Sequence, residues 1–275
     1  MLFVLIAERG AGEWINIFFR TYSLYINRLK YKGEVINEEE DLSQNEEFCG
    51  IFEKQYFETT KKIKYKYNTT FQNLFFIKDS PRELNWRKKI YEQYKENRKD
   101  TKYKNKTFNL SLMFKKVYAD ILPKIQLKFK INILKIENAE ADDVISVIVR
   151  EIPHYVDTYI ISADTDYLQL LTRKNVYIYN LNGRFINDKL NGKTAEEKLL
   201  EKIVCGDKTD NIPPCLPNMK LIRWLLDKPE YLINMLNINT DIKNIFDRNR
   251  MLIDFGCIPE TIKKSILSAF YECMR

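Results

Sequence analysis

The chain has 275 residues, 45% apolar and 30% charged, and 45 Lys plus Arg against 38 Asp plus Glu leave a formal charge of +7. With 17 Tyr and 16 Phe it has ample apolar surface for a core, which argues against intrinsic disorder. Its length suggests about two folding units at ~150 residues each, and the positive excess points to an anionic partner.

The single histidine, His154, leaves little material for His-rich metal sites or His-dependent triads. The five cysteines are scattered and form no C-x-x-C pair. That argues against a disulfide framework or a thiolate zinc site and points to a soluble protein of a reducing, intracellular compartment. Met1 to Ala7 is apolar but runs at once into Glu8 and Arg9, so it reads as a first strand and not as a signal peptide or membrane span.

In chain order, residues 1–35 read as a strand, a loop and a helix carrying Ile17, Phe18, Tyr22 and Leu24. Residues 36–60 are acidic, with Glu38, Glu39, Glu40 and Asp41 in one run, and carry no clear element. Leu74 to Ile77 reads as a buried strand ending at Asp79. From Trp86 to Lys106 the balance turns basic, with Tyr91, Tyr94 and Tyr103 interleaved. A helix at about 108–121 follows, then a strand at about 132–136, a helix over 142–151, and strands at 159–162 and 176–179. Thr194 with Glu197 suggests a capping box. From Leu221 onward the pattern is helical, broken by Pro229 and Pro259. Alternating strands and helices predict an α/β fold, with a mostly parallel central sheet covered by helices on both faces and a smaller C-terminal helical region.

The chemistry-bearing residues are acids just past strands or at helix starts: Asp79; Glu140 with Asp142 and Asp143; Asp164 with Asp166; Asp207 with Asp210. In an open α/β sheet, ligands collect outside the carboxyl ends of the strands, which puts Asp79 and Asp164 on one edge. Singly, each group has a plainer reading as a helix-dipole partner or a turn residue. Jointly, carboxylates crowded without basic partners would repel one another. A hard divalent cation such as Mg²⁺ removes that conflict. Two ions ~4 Å apart would clamp a phosphodiester and activate water without any histidine.

Five blocks in order carry a resemblance: N-I-F-F-R at 16–20, Y-E-Q-Y-K-E-N-R at 91–98, E-A-D-D-V-I at 140–145, S-A-D-T-D-Y-L-Q-L at 162–170 and G-D-K-T-D-N-I-P at 206–213. Together they resemble the motifs of the 5′-to-3′ exonuclease and flap endonuclease family. The tail N-R-M-L-I-D-F at 249–255 is similar to the phage ribonuclease H branch. The resemblance implies a PIN-like nuclease core at 1–204 with a basic helical arch at about 84–122. It implies a C-terminal DNA-binding region at 205–275 with a degenerate helix–turn–helix-type element.

By position, Glu13, Asp79, Glu140 and Asp142 would serve a first Mg²⁺, and Asp164, Asp166, Asp207 and Asp210 a second, with Asp143 between them. Mn²⁺ would substitute, and K⁺ would sit at the C-terminal element. Lys95 and Arg98 would approach the scissile phosphate, with Arg20, Tyr91, Tyr94, Lys99, Lys220 and Arg223 contacting nucleic acid. A plain reading of Lys95 and Arg98 is a solvated helix face. Tyr91 and Tyr94 could stack on unpaired bases or pack the arch onto the core. The implied activity is Mg²⁺-dependent 5′-nuclease hydrolysis of DNA bearing 5′ ends, flaps or RNA–DNA junctions, as in primer removal during replication or repair, by a monomer independent of membranes.

Two departures stand out. The family's first-motif aspartate is replaced by Glu13, with Glu8 a competing candidate. The glycines expected after Pro213 are replaced by Pro214-Cys-Leu-Pro-Asn, which makes close backbone approach to a phosphate harder and shifts the duplex grip towards Lys220 and Arg223. A catalytically weak nucleic-acid binder of the same fold, and a PIN-like ribonuclease, are the alternatives.

Overall fold

The computed structural model describes residues 2–8, 13–34, 41–99, 109–180 and 182–275. Five parallel strands form one sheet in the order β3-β2-β1-β4-β5: β1 Leu2–Glu8, β2 Leu74–Lys78, β3 Asn132–Lys135, β4 Asp157–Ile161 and β5 Val176–Tyr179. β1 lies at the centre, with Leu5 paired to Phe75 on one side and to Ile160 on the other. The chain adds β2 and β3 on one side of β1 and then crosses to add β4 and β5 on the other. The strand order therefore reverses between β1 and β4, the point where a crevice opens at the carboxyl ends of the strands.

A parallel sheet with both faces covered needs near-continuous apolar strands, and Leu74, Phe75, Phe76 and Ile77 are all buried. Alternation then divides them. Phe75 and Ile77 join Leu5 and Ile160 against α5 (Ala141–Glu151) and α10 (Glu260–Cys273). Leu74 and Phe76 face α1 (Glu13–Lys32), α2 (Glu46–Lys66) and the α3 to α4 segment. The expected two-faced α/β architecture is what the chain adopts.

The segment over 36–60 that carried no clear element contains most of α2. Asn45 caps it by accepting from the Phe48 amide at 2.8 Å. Phe48, Phe52, Tyr56 and Ile63 form its buried stripe, at a helical spacing that the abundant Lys and Glu obscured. Glu38, Glu39 and Glu40 lie outside the described residues. The helix expected at 108–121 runs on as α3 (Leu110–Lys116), a π turn at Val117–Ile121, and α4 (Leu122–Phe129). The π turn ends two residues before Pro123, which has no N–H for the regular ladder.

The remaining helices are α6 (Ala195–Cys205), α7 (Met219–Leu226), α8 (Pro229–Ile238) and α9 (Thr240–Ile253). The Thr194–Glu197 capping box forms, with the Thr194 amide donating to Glu197 at 2.7 Å and the Glu197 amide to Thr194 Oγ1 at 3.1 Å. Position 204/205, the expected boundary, falls in the last turn of α6, and α10 returns to pack on α5 and β3. The C-terminal end of α9 is gripped from the core side, where Arg87 Nε donates to Leu252 O at 2.7 Å and Gln169 Nε2 to Ile253 O at 3.0 Å. All five cysteines are free. Among the described residues, no helix is long and apolar enough to cross a membrane.

Because α5 carries a group of acids on its first turn, its inner face decides where they sit. Ile145, fully buried there, should cost ~2–5 kcal/mol when truncated in Ile145→Ala, read as a lower urea midpoint with unchanged slope.

Candidate functional site

The carboxyl edge of the sheet gathers the acids. Asp79 follows β2, and its Oδ1 accepts the Ala141 amide at 2.8 Å, tying that strand to the start of α5. Glu140 is the N-cap residue of α5, and Asp142 and Asp143 lie in its first turn, where acids complement the helix dipole. All three are buried. Asp164 follows β4 and accepts the Asp166 amide at 2.8 Å. Asp207 caps a 3-10 turn by accepting from the Thr209 amide at 2.8 Å and the Thr209 hydroxyl at 2.6 Å. The turn and cap readings are thus correct for several acids, and each role uses only part of a carboxylate.

The hairpin-like loop that carries Asp207 and Asp210 is closed by reciprocal backbone bonds between Asp207 and Ile212, both 2.8 Å. Gly206 is required for this turn. Its φ is +70°, and a Cβ there would lie 2.3 Å from the Ile212 carbonyl oxygen. Closure brings one carboxylate oxygen from each of Asp166, Asp207 and Asp210 within 4.8 Å of one another. A cleft of about 390 Å³ opens there, with Asp164, Lys202 and Lys208 also on its wall.

The sequence expectation that these acids lack basic partners is wrong: among the described residues, Arg87, Lys95 and Lys202 meet them. Lys202, on α6, pairs with Asp166 and lies 2.8 Å from Asp207 Oδ2. Burial works against its ammonium, yet Asp166 and then Asp207 hold its pKa above the ordinary lysine value. Burial likewise pushes the Asp207 carboxyl up, but the Lys202 charge and the bonds from Lys202 and Thr209 outweigh it and leave the pKa at about 2.

Lys95 is the second cation. It stands at φ +57° and is buried, with Nζ paired to Glu140 and 3.5 Å from Asp210 Oδ2. Its amide donates to Asp210 O at 2.8 Å. The solvated-helix reading of Lys95 therefore fails, because the chain turns left-handed there and carries the side chain in among the acids.

At Tyr94 the packing reading holds and the base-stacking one fails. The residue is 2% exposed, and its hydroxyl is 2.9 Å from Glu140 Oε2 and 3.0 Å from Asp210 Oδ2. Burial and the Glu140 charge push the phenol well above its usual pKa, so it remains a donor, and its ring is inside the protein instead of free to stack on bases. Tyr91 is half-buried, with the Arg248 guanidinium 4.8 Å from its ring centre.

The third cation, Arg87, lies in the basic run at 86–106. It is fully buried, with Nη2 2.8 Å from Asp143 Oδ1 and Nη1 2.9 Å from Asp143 Oδ2 and 3.3 Å from Glu140 Oε2. Burial opposes its charge, but Asp143, then Tyr94 and Glu140, hold it above the ordinary arginine value. Trp86 lies beside it and donates from Nε1 to Asp143 Oδ2 at 3.0 Å. Nothing in the basic run sets Arg87 apart from its neighbours, and nothing in the mixed charges of α6 singles out Lys202.

Arg20, Lys220 and Arg223 are exposed, the last two on α7. The side chains of Glu8, Glu13, Arg98 and Lys99 lie outside the described residues.

The family model described as "5'-3' exonuclease, N-terminal resolvase-like domain" matches residues 53–203. A 5'-3' exonuclease of Buchnera aphidicola subsp. Acyrthosiphon pisum is 30% identical over 195 residues, covering 68% of this chain and 62% of that protein. Its counterpart from Buchnera aphidicola subsp. Schizaphis graminum is 29% identical over 177 residues, 58% of each chain. These matches span about three-fifths of the relatives' own lengths. A bacteriophage T5 flap endonuclease, solved in complex with DNA and metal ions, superposes with a TM-score of 0.67 at 17% identity over the whole of both chains. That likeness bears on the fold. With the family model covering more than half of its residues, the chain belongs to the 5'-3' exonuclease family with a resolvase-like N-terminal domain.

Proposed function

We propose that this protein is a metal-dependent 5′ nuclease, hydrolysing phosphodiesters at 5′ ends or flaps of DNA. The observation that carries the reading is the convergence of acids from separate parts of the chain, with Asp166, Asp207 and Asp210 within 4.8 Å of one another and Asp210 joined to Glu140 through Tyr94 and Lys95. The donor set fits a hard divalent ion, since every group is a carboxylate and the site is open to solvent water. Asp164, Asp166, Asp207 and Asp210 would hold one Mg²⁺ or Mn²⁺, and Glu140, Asp142 and Asp79 another. When bound, such ions neutralise the phosphodiester and make the attacking water more acidic.

The chain's own residues do the rest. Lys95, already beside the acids, supplies a compact positive charge to the phosphate, and Arg98 a bidentate fork. Tyr94 stands between the two acidic groups, with its single O–H within reach of Glu140 and Asp210 and donated to one or the other. Residues 1–204, with the arch at 84–122, carry cleavage together with Asp207 and Asp210, and the rest of 205–275 grips duplex through Lys220 and Arg223. K⁺ at the C-terminal element, where the family's glycines are replaced in this chain, should make duplex binding tighter in K⁺ than in Li⁺.

A 5′-flap DNA should be cut in Mg²⁺ and left intact with chelator, and Asp164→Ala should lower the rate at least ~100-fold while the far-ultraviolet spectrum is unchanged. Folded protein that leaves DNA and RNA flaps uncut at every divalent ion would overturn the proposal. Faster cutting of RNA than of DNA would reassign the substrate.

Charge at the site gives two more expectations. Lys202→Met leaves Asp166 and Asp207 unbalanced and should lower stability by ~1–3 kcal/mol in chelator, less than for a fully dry pair because a quarter of the lysine is exposed. Millimolar Mg²⁺ should restore much of that loss in a melting curve. Replacing Lys95 and Arg98 together by Ala should flatten the slope of log affinity against log salt by ~1–2. An unchanged slope would move the phosphate contacts elsewhere.

A further inference from the structure

Asp143 sits among the acids yet differs from its neighbours in how its lone pairs are used. An ionised carboxylate offers about four acceptor positions. At Asp143, Oδ1 takes Arg87 Nη2 at 2.8 Å, while Oδ2 takes Arg87 Nη1 at 2.9 Å, Trp86 Nε1 at 3.0 Å and the Glu140 amide at 3.0 Å. The residue is 0% exposed. Three donors crowd Oδ2 and a fourth holds Oδ1, and the side chain is wholly buried, so a cation drawing on Oδ2 would have to evict a donor inside the protein and leave it unpaired.

The same guanidinium reaches two further places. Nη1 lies 3.3 Å from Glu140 Oε2, and Nε donates to Leu252 O at 2.7 Å, in the last turn of α9. That carbonyl belongs to a helix end whose acceptors lack intrahelical donors. One planar fork thus spans the start of α5, the Glu140 carboxylate and the end of α9. A lysine, with a single ammonium, cannot reproduce this arrangement.

We infer that Asp143 and Arg87 are positioning residues: they brace Glu140 against the carbonyl end of α9, and Asp143 is not itself a metal ligand. The inference rests on the nuclease reading and deepens it. Glu140 and Asp142 carry the ion at α5, while the docking of the C-terminal helices is relayed to them through Arg87. The brace also explains why an acid at a fully buried position is retained beside a site built from acids.

The test is a Mn²⁺ titration of the full chain by calorimetry, with flap-cleavage kinetics at saturating Mn²⁺. Asp142→Asn should weaken one of two ions at least ~100-fold. Asp143→Asn should keep both within ~10-fold and lower kcat with flap KM unchanged, and Arg87→Lys should reproduce that pattern. The double variant Arg87→Lys with Asp143→Asn should be no worse than the weaker single variant, because both act through one brace. Loss of an ion in Asp143→Asn matching that in Asp142→Asn would overturn the inference and leave the nuclease reading standing. No Mn²⁺ binding by the unaltered protein would end both.

A second measurement needs no variant in the brace. In ¹⁵N-tryptophan-labelled protein, assigned with Trp14→Phe and Trp224→Phe, the Trp86 Nε1–H should keep its hydrogen-exchange protection within about twofold when Mg²⁺ is added. Exchange faster by tenfold or more would mean that Asp143 releases the indole to take the ion, and would overturn the inference.

Discussion

Acids brought to one edge of a parallel sheet repel one another, and the rest of this structure is arranged around that repulsion. The sheet order forces the convergence, because the reversal between β1 and β4 leaves a crevice that β2, β4 and the start of α5 all face. The loop after α6 then adds Asp207 and Asp210 to the same place. So much negative charge, half withdrawn from water, is tolerated only with positive charge beside it. Arg87, Lys95 and Lys202 supply it from within the chain.

The three cations are not equivalent. Arg87 is fixed by a planar fork, by the Trp86 ring 4.5 Å away and by the α9 carbonyl, so it behaves as part of the core. Lys202 and Lys95 are single ammoniums on flexible stems, each shared between two carboxylates that belong to different loops or helices. A fork holds geometry, whereas a shared ammonium balances charge and can be replaced by another cation. The division between a rigid brace and exchangeable counter-charges follows from those side-chain chemistries.

The C-terminal helices enter the same logic. α6 delivers Lys202 and the Gly206 turn to the site, α9 ends on the Arg87 guanidinium, and α10 packs on α5 from the other side. The region is therefore continuous with the acidic crevice in structure, even though the chain reaches it last. Its exposed face, with Lys220, Arg223 and the Trp224–Tyr231 ring pair 5.0 Å apart, points outward from that connection.

The sequence by itself determined the alternation of strands and helices, the positions of β2, β3 and β5 to within a residue or two, the Thr194 cap, and which acids follow strands or start helices. Each of these depends on residues within a few positions of one another, or on motifs compact enough to read along the chain. α2 was equally local, but its buried stripe at 48, 52, 56 and 63 is diluted by charge. Only the tertiary structure decided what the cations and Tyr94 do. Arg87 meets Asp143 across 56 residues and Tyr94 meets Asp210 across 116, and a basic run in sequence carries charge without direction. Whether a lysine faces water or a buried carboxylate is set by the turn that carries it, and at Lys95 that turn is left-handed against the expectation of a helix.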